Sequence, residues 1–334
     1  MKPNSALGSL FQADPDLRLA GTEIYLDPSE PRETGIITHG HSDHIGAHGS
    51  FIATPPTAAF LRLRVAASCR GTELPYRKPL QIGRYELELF PAGHVLGSAM
   101  ISIRAGEGSL LYTGDLRLRS SRTAEPAEVP RCDFLITEST YGSPFWRFPD
   151  RAETEERLCA LLGELIGRGQ TPVILAYSLG KAQEAMSLLA ATGFRCVVHP
   201  VVAAISRIYE KFGIDLGRWE SWAVQGSLFD RSTRDLSGKV LVMPPHLKRD
   251  LRLVPRRKTI ALTGWALDPG RSGWTDYSFP ISDHADFDEL LELIDRARPK
   301  AVYTTHGAPA FARELRRRGI AAESLRQKPQ MRLF

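Results

Sequence analysis

The residues best suited to chemistry form the run HGHSDH at residues 39–44, directly after an apolar segment. Because alternate side chains of an extended segment point the same way, His39 and His41 can bind one ion. Asp43 and His44 then belong to the following turn and can face a second ion. Imidazole nitrogen and carboxylate oxygen ligands suit Zn, Mn or Fe. The spacing therefore predicts a metal site with ligands for two ions.

Three further candidate ligands lie where predicted strands end. His94 follows the segment YELELF, Asp115 ends the segment LLYTGD, and His306 lies at the end of AVYTTHG. Loops at strand ends can bring such residues into one site. Together with the first run they would complete a set of five histidines and two aspartates.

The elements that must position these residues are of two kinds. Segments in close succession, with period-two alternation, predict antiparallel strands at 85–90, 98–103 and 110–115. Later, helical spacing at 150–168 and an apolar strand at 172–177 predict a parallel α/β insert. A further helix is expected at 286–297, with Asp283 or Asp286 as its cap.

Composition limits the class of protein. The chain has 334 residues, with 43% hydrophobic and 24% charged residues, which is typical of a folded globular protein rather than a disordered one. No apolar run is long enough to span a membrane, and the first residues lack the apolar core of a signal peptide, so a cytoplasmic protein is expected. The four cysteines form no CxxC pair, which argues against a disulfide framework and a thiolate zinc site.

The length and net charge of the chain can be interpreted further once the positions of the candidate ligands are known. The length predicts about two domains, or one domain with an insertion. The candidate ligands begin at residue 39 and end at residue 306, which favours a discontinuous metal domain that contains the insert. The net charge is +5, from 43 Lys and Arg against 38 Asp and Glu, and this small excess does not by itself specify a nucleic-acid partner.

On these motifs the sequence resembles the metallo-β-lactamase superfamily, and within it the β-CASP nucleases. Glu138 in DFLITESTYG and His284 in SDHAD match two further motifs of the β-CASP group, and His306 matches a third. The resemblance covers nearly the whole chain. It is strongest to the bacterial branch linked to DNA ligase and helicase repair clusters, often described as ligase-associated DNA exonucleases or manganese-dependent phosphodiesterases acting on DNA.

The resemblance implies an α/β fold, a metallo-β-lactamase αββα sandwich with an inserted α/β β-CASP cap domain. Residues 1–145 and 276–334 would form the two parts of the metallo-β-lactamase domain, and residues 146–275 would form the cap.

The resemblance also implies two divalent metal ions, Mn or Zn, and assigns each ligand. The implied sets are His39, His41 and His94 for one ion, Asp43, His44 and His306 for the other, with Asp115 as the bridge. Asp27, at the end of EIYLD, would support residues 39–44, called the metal loop below, from behind the ligands.

The implied activity is hydrolysis of phosphodiester bonds. A metal-activated hydroxide would attack phosphorus, with Asp115 bridging the ions and Asp43 orienting the hydroxide. His284 would act as the general acid and Glu138 would hold its ring. The sequence also contains basic residues that are candidate contacts to substrate phosphates: Arg117, Lys181 and Lys248.

The substrate stays open at this level. The overall resemblance favours DNA, and single-stranded DNA in particular, in repair, with the DNA ligase and helicase of the same cluster as partners and no membrane. His306 is shared with the RNA-processing members, whereas Artemis-like DNA nucleases have valine there, so an RNA-processing β-CASP ribonuclease is the alternative. Small-molecule hydrolases of the glyoxalase II type lack the long insert, and non-catalytic scaffold relatives usually lose metal ligands that this chain retains.

Overall fold

The computed structural model describes residues 10–13, 16–66, 68–223 and 232–325. The chain divides into two compact units. The first, called the metal unit below, runs up to Arg147 and resumes at His284, while the second, the insert, runs from Phe148 to Asp283. No helix among the described residues is both long enough and apolar enough to cross a membrane.

The first sheet of the metal unit has six strands in sequential order. They are β1 (Phe11–Ala13), β2 (Leu17–Leu19), β3 (Ile24–Leu26), β4 (Thr34–Ile36), β5 (Ser50–Ala53) and β6 (Gly71–Glu73). Pairing is antiparallel from β1 to β3 and parallel from β3 to β6. Helix α1 (Pro55–Arg64) lies between β5 and β6 in the chain and packs Ala58 and Leu61 against Ile37, Phe51 and Ala53.

The second sheet of the metal unit begins with five strands. They are β7 (Leu80–Ile82), β8 (Tyr85–Pro91), β9 (Ala99–Ala105), β10 (Gly108–Tyr112) and β11 (Phe134–Glu138). The β7–β10 pairs are antiparallel, which confirms the prediction from period-two alternation. In β8 every second residue is buried, as the sequence YELELFP requires of a strand with one face on a core.

The insert is a parallel seven-stranded sheet with helices between its strands. Its strands are β12 (Thr171–Leu175), β13 (Arg195–Val198), β14 (Trp219–Trp222), β15 (Ser232–Thr233), β16 (Lys239–Met243), β17 (Arg257–Leu262) and β18 (Tyr277–Phe279). Its helices are α2 (Arg151–Gly167), α3 (Lys181–Ala191), α4 (Pro200–Lys211) and the short α5 (Pro269–Ser272), with 3₁₀ turns at Pro245–Leu253 and Gly264–Leu267. Parallel strands covered on both faces read as continuous apolar runs, and β12 is buried at every residue.

After the insert the chain returns to the second sheet. Helix α6 (Phe287–Ala297), strand β19 (Ala301–Thr305), helix α7 (Ala310–Arg317) and strand β20 (Ala322–Ser324) complete it. The strand order is then β20-β19-β11-β10-β9-β8-β7. One core joins the two sheets face to face, and another packs α6 and α7 on the outer face of the second sheet. The metal unit is therefore an αββα sandwich, as the resemblance implies.

One expected boundary needs correction, and one of two expected helix caps is confirmed. The cap was expected to end at residue 275, but β18 pairs in parallel with β17, so residues 276–283 belong to the insert. For helix α6, the cap is Asp286 and not Asp283, since the Asp286 side chain accepts hydrogen bonds from the amides of Asp288 and Glu289.

Candidate metal centre

Asp27 lies directly after β3 and gathers the hydrogen bonds that support the metal loop. Its Oδ1 accepts from the Thr38 amide at 2.8 Å, and its Oδ2 accepts from the Thr38 hydroxyl at 2.6 Å. The same Oδ2 is 2.8 Å from His44 Nδ1 and 3.1 Å from the Tyr112 hydroxyl. Because a carboxylate only accepts, His44 must carry its proton on Nδ1, which leaves the Nε2 lone pair available to a metal.

Thr38 orients the His39 ring in the same way, through a hydrogen bond to its Nδ1. Its hydroxyl donates to Asp27, so the hydroxyl oxygen accepts from His39 Nδ1 at 2.9 Å. The His39 ring is thereby held with Nε2 as its unprotonated atom. Thr38 lies two residues after the end of β4, and the close packing of Gly114 against its side chain keeps it in place.

Three ring nitrogens converge beside Asp115. His41 Nδ1 lies 3.0 Å from His39 Nε2 and 3.0 Å from His94 Nε2. One ligand atom from each of these histidines and one from Asp115 lie within 4.8 Å of one another. Nitrogen ligands at about 2.0–2.1 Å in a tetrahedral zinc site stand roughly 3.3 Å apart, so the spacing of these nitrogens suits one ion.

The second predicted ligand set, Asp43, His44 and His306, lies beside the same Asp115, but the distances between its ligand atoms are longer. His44 Nε2 lies 3.6 Å from Asp115 Oδ2 and 4.0 Å from Asp43 Oδ2. The His44 and His306 rings are 5.2 Å apart between centroids. Asp115 Oδ2 is also 3.5 Å from His39 Nε2, so this carboxylate lies between the two sets of histidines.

Two buried atoms support the presence of metal at this centre. His44 Nε2 and one oxygen of Asp115, Oδ1, are buried and have no hydrogen-bond partner among the described residues. An unpartnered buried polar atom costs about 1–3 kcal/mol, and a cation would remove that cost at both atoms. The donor set of imidazole nitrogens and a carboxylate fits Zn or Mn.

Electrostatics at the centre favour positive charge. Burial alone would raise the pKa of Asp115, but the neighbouring His44 and His284 outweigh it and hold the pKa well below its usual range. Burial alone would lower the pKa of His44, but Asp115, Asp27 and Asp43 hold it well above its usual range. Burial lowers the pKa of His39 and of His306. The carboxylates that stabilise a proton on His44 would equally stabilise a bound cation.

Glu138 and His284 form a pair next to Asp115. Glu138 ends β11, is completely buried and accepts the amide of Leu116 at 2.8 Å. His284 Nδ1 lies 3.0 Å and 3.1 Å from the two Glu138 oxygens and 3.9 Å from Asp115 Oδ2. Its ring centroid is 4.7 Å from that of His94. The structure therefore brings both β-CASP motif residues to the metal centre.

The three candidate phosphate contacts are in different environments. Arg117 is buried at 5% exposure, and its Nη2 donates to the Ser120 carbonyl. In the insert, Lys181 is also buried, with its ammonium 3.0 Å from Asp283 and 4.5 Å from the Tyr177 ring centroid. Lys248 is exposed on the 3₁₀ turn. Phosphate binding by all three stays a prediction. Arg117 and Lys181 are buried, so a phosphate would reach them less easily than it would reach Lys248.

Three residues that position the proposed ligands were not expected from the sequence. Thr38 and Tyr112 hold Asp27 and its histidines, and Arg64 donates to the carbonyl of Gly40. Thr38 could have been noticed because it directly precedes His39. Nothing local signals Tyr112 or Arg64, which reach the loop from distant parts of the chain.

Comparison with known families agrees with this geometry. Residues 36–155 match the family described as the metallo-beta-lactamase superfamily, and residues 277–326 match the one described as the Zn-dependent metallo-hydrolase RNA specificity domain. The chain belongs to the β-CASP branch of the metallo-β-lactamase superfamily. A β-CASP protein from this superfamily is expected to carry an α/β unit inserted in its metal domain, as the structure shows.

This β-CASP protein is similar in sequence to several named proteins, each of which is much longer. It is 36% identical over 316 residues to a "Probable DNA ligase" of Opitutus terrae, which covers 92% of this chain and 30% of that protein. It is 34% identical to the "Transcription termination factor FttA" of Methanocaldococcus jannaschii, over 48% of this chain and 31% of the relative. It is 27% identical to the "RNase aCSPSF2" of Saccharolobus solfataricus, over 48% of this chain and 38% of the relative. The chain thus spans about a third of the length of these relatives.

A solved structure shares the fold at lower identity. A protein of unknown function from Enterococcus faecalis aligns with a TM-score of 0.61 and 16% identity, covering 83% of this chain and 76% of that one.

Proposed function

We propose that this β-CASP protein is a metal-dependent phosphodiesterase that hydrolyses single-stranded DNA in nucleic-acid repair. The observation that carries the proposal is the convergence of His39, His41 and His94 on Asp115, beside the unpartnered Nε2 of His44. A polar cluster this deeply buried is costly unless a cation completes it.

The proposed roles of the side chains follow from their contacts. Two divalent ions, Mn or Zn, held by the two histidine sets, Asp43 and Asp115, would supply Lewis acidity and lower the pKa of a nucleophilic water. Asp115 offers negative charge between the sets, and Asp43, beside His44, is suited to orient the nucleophile. Glu138 keeps a proton on His284 Nδ1, so that His284 Nε2 can give its proton to the leaving oxygen.

The DNA substrate is supported by the relative that matches over nearly the whole chain. That relative is called a probable DNA ligase and shares 36% identity across 92% of this chain. The segment of that relative that is similar to this chain lies within a protein named as a probable DNA ligase, which supports a DNA ligase as a partner. A helicase of the same repair cluster is a further candidate partner.

RNA hydrolysis is the second candidate. The C-terminal family match is described as an RNA specificity domain, and a partial relative is called an RNase. His306, which the RNA-processing members share, lies 5.2 Å from the His44 ring between centroids and belongs to the same cluster.

One assay separates the candidates. Circular and linear single-stranded DNA, duplex DNA and RNA of matched sequence are incubated with the full chain and Mn²⁺, Zn²⁺ or Mg²⁺. We expect single-stranded DNA to be cleaved in a metal-dependent reaction. Cleavage of the circle would identify endonuclease action, and cleavage confined to RNA would overturn the DNA proposal. No cleavage of any substrate with any metal would overturn the phosphodiesterase proposal.

A further inference from the structure

Helix α1 lies under the metal loop and contacts it through the last residue of its final turn. The guanidinium of Arg64 donates through Nη1 to the carbonyl oxygen of Gly40, the residue between His39 and His41. Arg64 is partly buried, and it carries the only charge that α1 directs to this loop among the contacts described. A hydrogen bond from a charged donor is stronger and more directional than a neutral one.

The same helix face leaves no space for a side chain at Gly40. A Cβ there would lie 2.8 Å from Cβ of Phe60, which is four residues before Arg64 and completely buried. Residues four apart share one face of a helix, so Phe60 and Arg64 together limit where Gly40 can lie. Phe60 sets how closely the backbone approaches, and Arg64 sets the direction of its carbonyl.

The first turn of α1 holds the other loop of the same site. The hydroxyls of Thr54 and Thr57 donate to the Gly97 carbonyl at 2.6 Å and 3.0 Å. Gly97 has φ +77°, and a Cβ there would lie 2.6 Å from Pro56. This loop, between β8 and β9, contains His94, whose amide donates to the Ser98 hydroxyl at 3.1 Å.

We infer that helix α1 is a brace for the His39, His41 and His94 ligand set and that Arg64 is its main positioning residue. The inference rests on the proposed metal site. The two loops are far apart in sequence, and both reach α1, one at each end. Holding both against one rigid helix fixes three nitrogens before an ion arrives, which reduces the conformational freedom that binding would otherwise remove.

The test compares Zn²⁺ affinity of the metal-free full chain and of Arg64→Met, by competition with a chromophoric chelator. Loss of a contact behind the ligands typically weakens metal affinity 10- to 100-fold, so we expect about a tenfold loss for Arg64→Met. The matched control is Arg62→Met, in the same turn, whose guanidinium instead pairs with exposed Glu73 at 2.6 Å. It should bind Zn²⁺ like the unaltered chain.

A second variant guards against simple loss of folding. Arg64→Lys keeps a charged donor and should recover part of the Zn²⁺ affinity that Arg64→Met loses. In the metal-free state, Arg64→Lys and Arg62→Met should have the same thermal unfolding midpoint. Equal Zn²⁺ affinity in Arg64→Met and Arg62→Met, or no recovery in a folded Arg64→Lys protein, would overturn this inference alone. Absence of Zn²⁺ binding in the unaltered chain would overturn the proposed metal site as well.

Discussion

Two of the proposed ligand histidines are oriented by hydrogen bonds to residues outside the proposed ligand set. Thr38 holds Nδ1 of His39, and Asp27 holds Nδ1 of His44, so each ring presents Nε2. His41 is different, because its Nδ1 is the atom that approaches the other two nitrogens. Each ring thus has one nitrogen directed to the centre, which is the state that metal binding needs.

His284 tests the proposed chemistry at the scale of one residue. His284→Ala should reduce turnover of single-stranded DNA by roughly 100-fold or more, the usual contribution of a general acid, because the leaving oxygen loses its proton donor. The metal content should stay near that of the unaltered chain. Steady-state kinetics beside elemental analysis of the same samples checks both values. Loss of metal together with turnover would make His284 a structural residue or a ligand instead.

Most of the site could be predicted from local sequence, and the rest could not. The residue types and spacing of the run at 39–44 are enough to predict a metal site. The structure places ligand atoms of His94 and Asp115 close to those of His39 and His41. Tyr112 is 85 residues from its partner Asp27, so no local pattern could reveal that contact. Only a folded sandwich brings the end of β10 to the end of β3.

The start of helix α6, which follows the insert in the chain, forms hydrogen bonds with the segment after Asp115. The Asp286 carboxylate caps the helix and also accepts from Arg119 at 2.7 Å. Glu289 accepts the amides of Leu118 and Arg119 at 2.8 Å and 2.7 Å. This helix start therefore connects the segment after His284 to the segment that follows Asp115.

Asp286→Ala should destabilise the metal unit because it removes the cap and leaves Arg119 without this acceptor. We expect a loss of roughly 2–3 kcal/mol in the free energy of unfolding, measured by urea denaturation of the metal-free protein. The control is Asp288→Ala, two residues along the same helix, whose carboxylate forms an exposed pair with Arg147. It should cost less than about 1 kcal/mol. Equal losses in the two variants would contradict the capping account.

Elements with strong local signals were predictable, and elements defined by packing were not. Helix α6 was expected at 286–297 because its apolar spacing and acidic first turn are plain in the sequence. Helix α1 was not expected, although Thr54 at its N-cap and Pro55 at its first position are typical of a helix start. Strand β18 was not expected either, because its three residues gain their role only by pairing with β17.

At the scale of the whole molecule, net charge says little about nucleic-acid binding. The excess is only +5, and many arginines are in ion pairs, such as Arg119 with Asp286 and Arg151 with Glu184. Binding to a polyanion must therefore depend on local groups of basic residues. Lys248 is the exposed member of the three candidate contacts.

If Lys248 contacts a phosphate, Lys248→Ala should weaken single-stranded DNA binding at low salt and reduce the slope of log affinity against log salt by about 0.7. The control is Lys300→Ala, which removes an exposed lysine paired with Asp133 in the metal unit. Fluorescence anisotropy over a range of NaCl concentrations measures both slopes. A slope for Lys248→Ala equal to that of the unaltered chain would remove Lys248 from the binding surface.

The central claim is that the buried histidines and aspartates hold the ions that phosphodiester hydrolysis requires. The most direct measurement is the number of Zn²⁺ or Mn²⁺ equivalents that the purified full chain retains after dialysis, for the unaltered protein and for Asp115→Ala. The claim predicts about two equivalents in the unaltered protein and a clear loss in Asp115→Ala, because that carboxylate lies between both ligand sets. No retained metal in the unaltered protein, or equal metal in both, would contradict it.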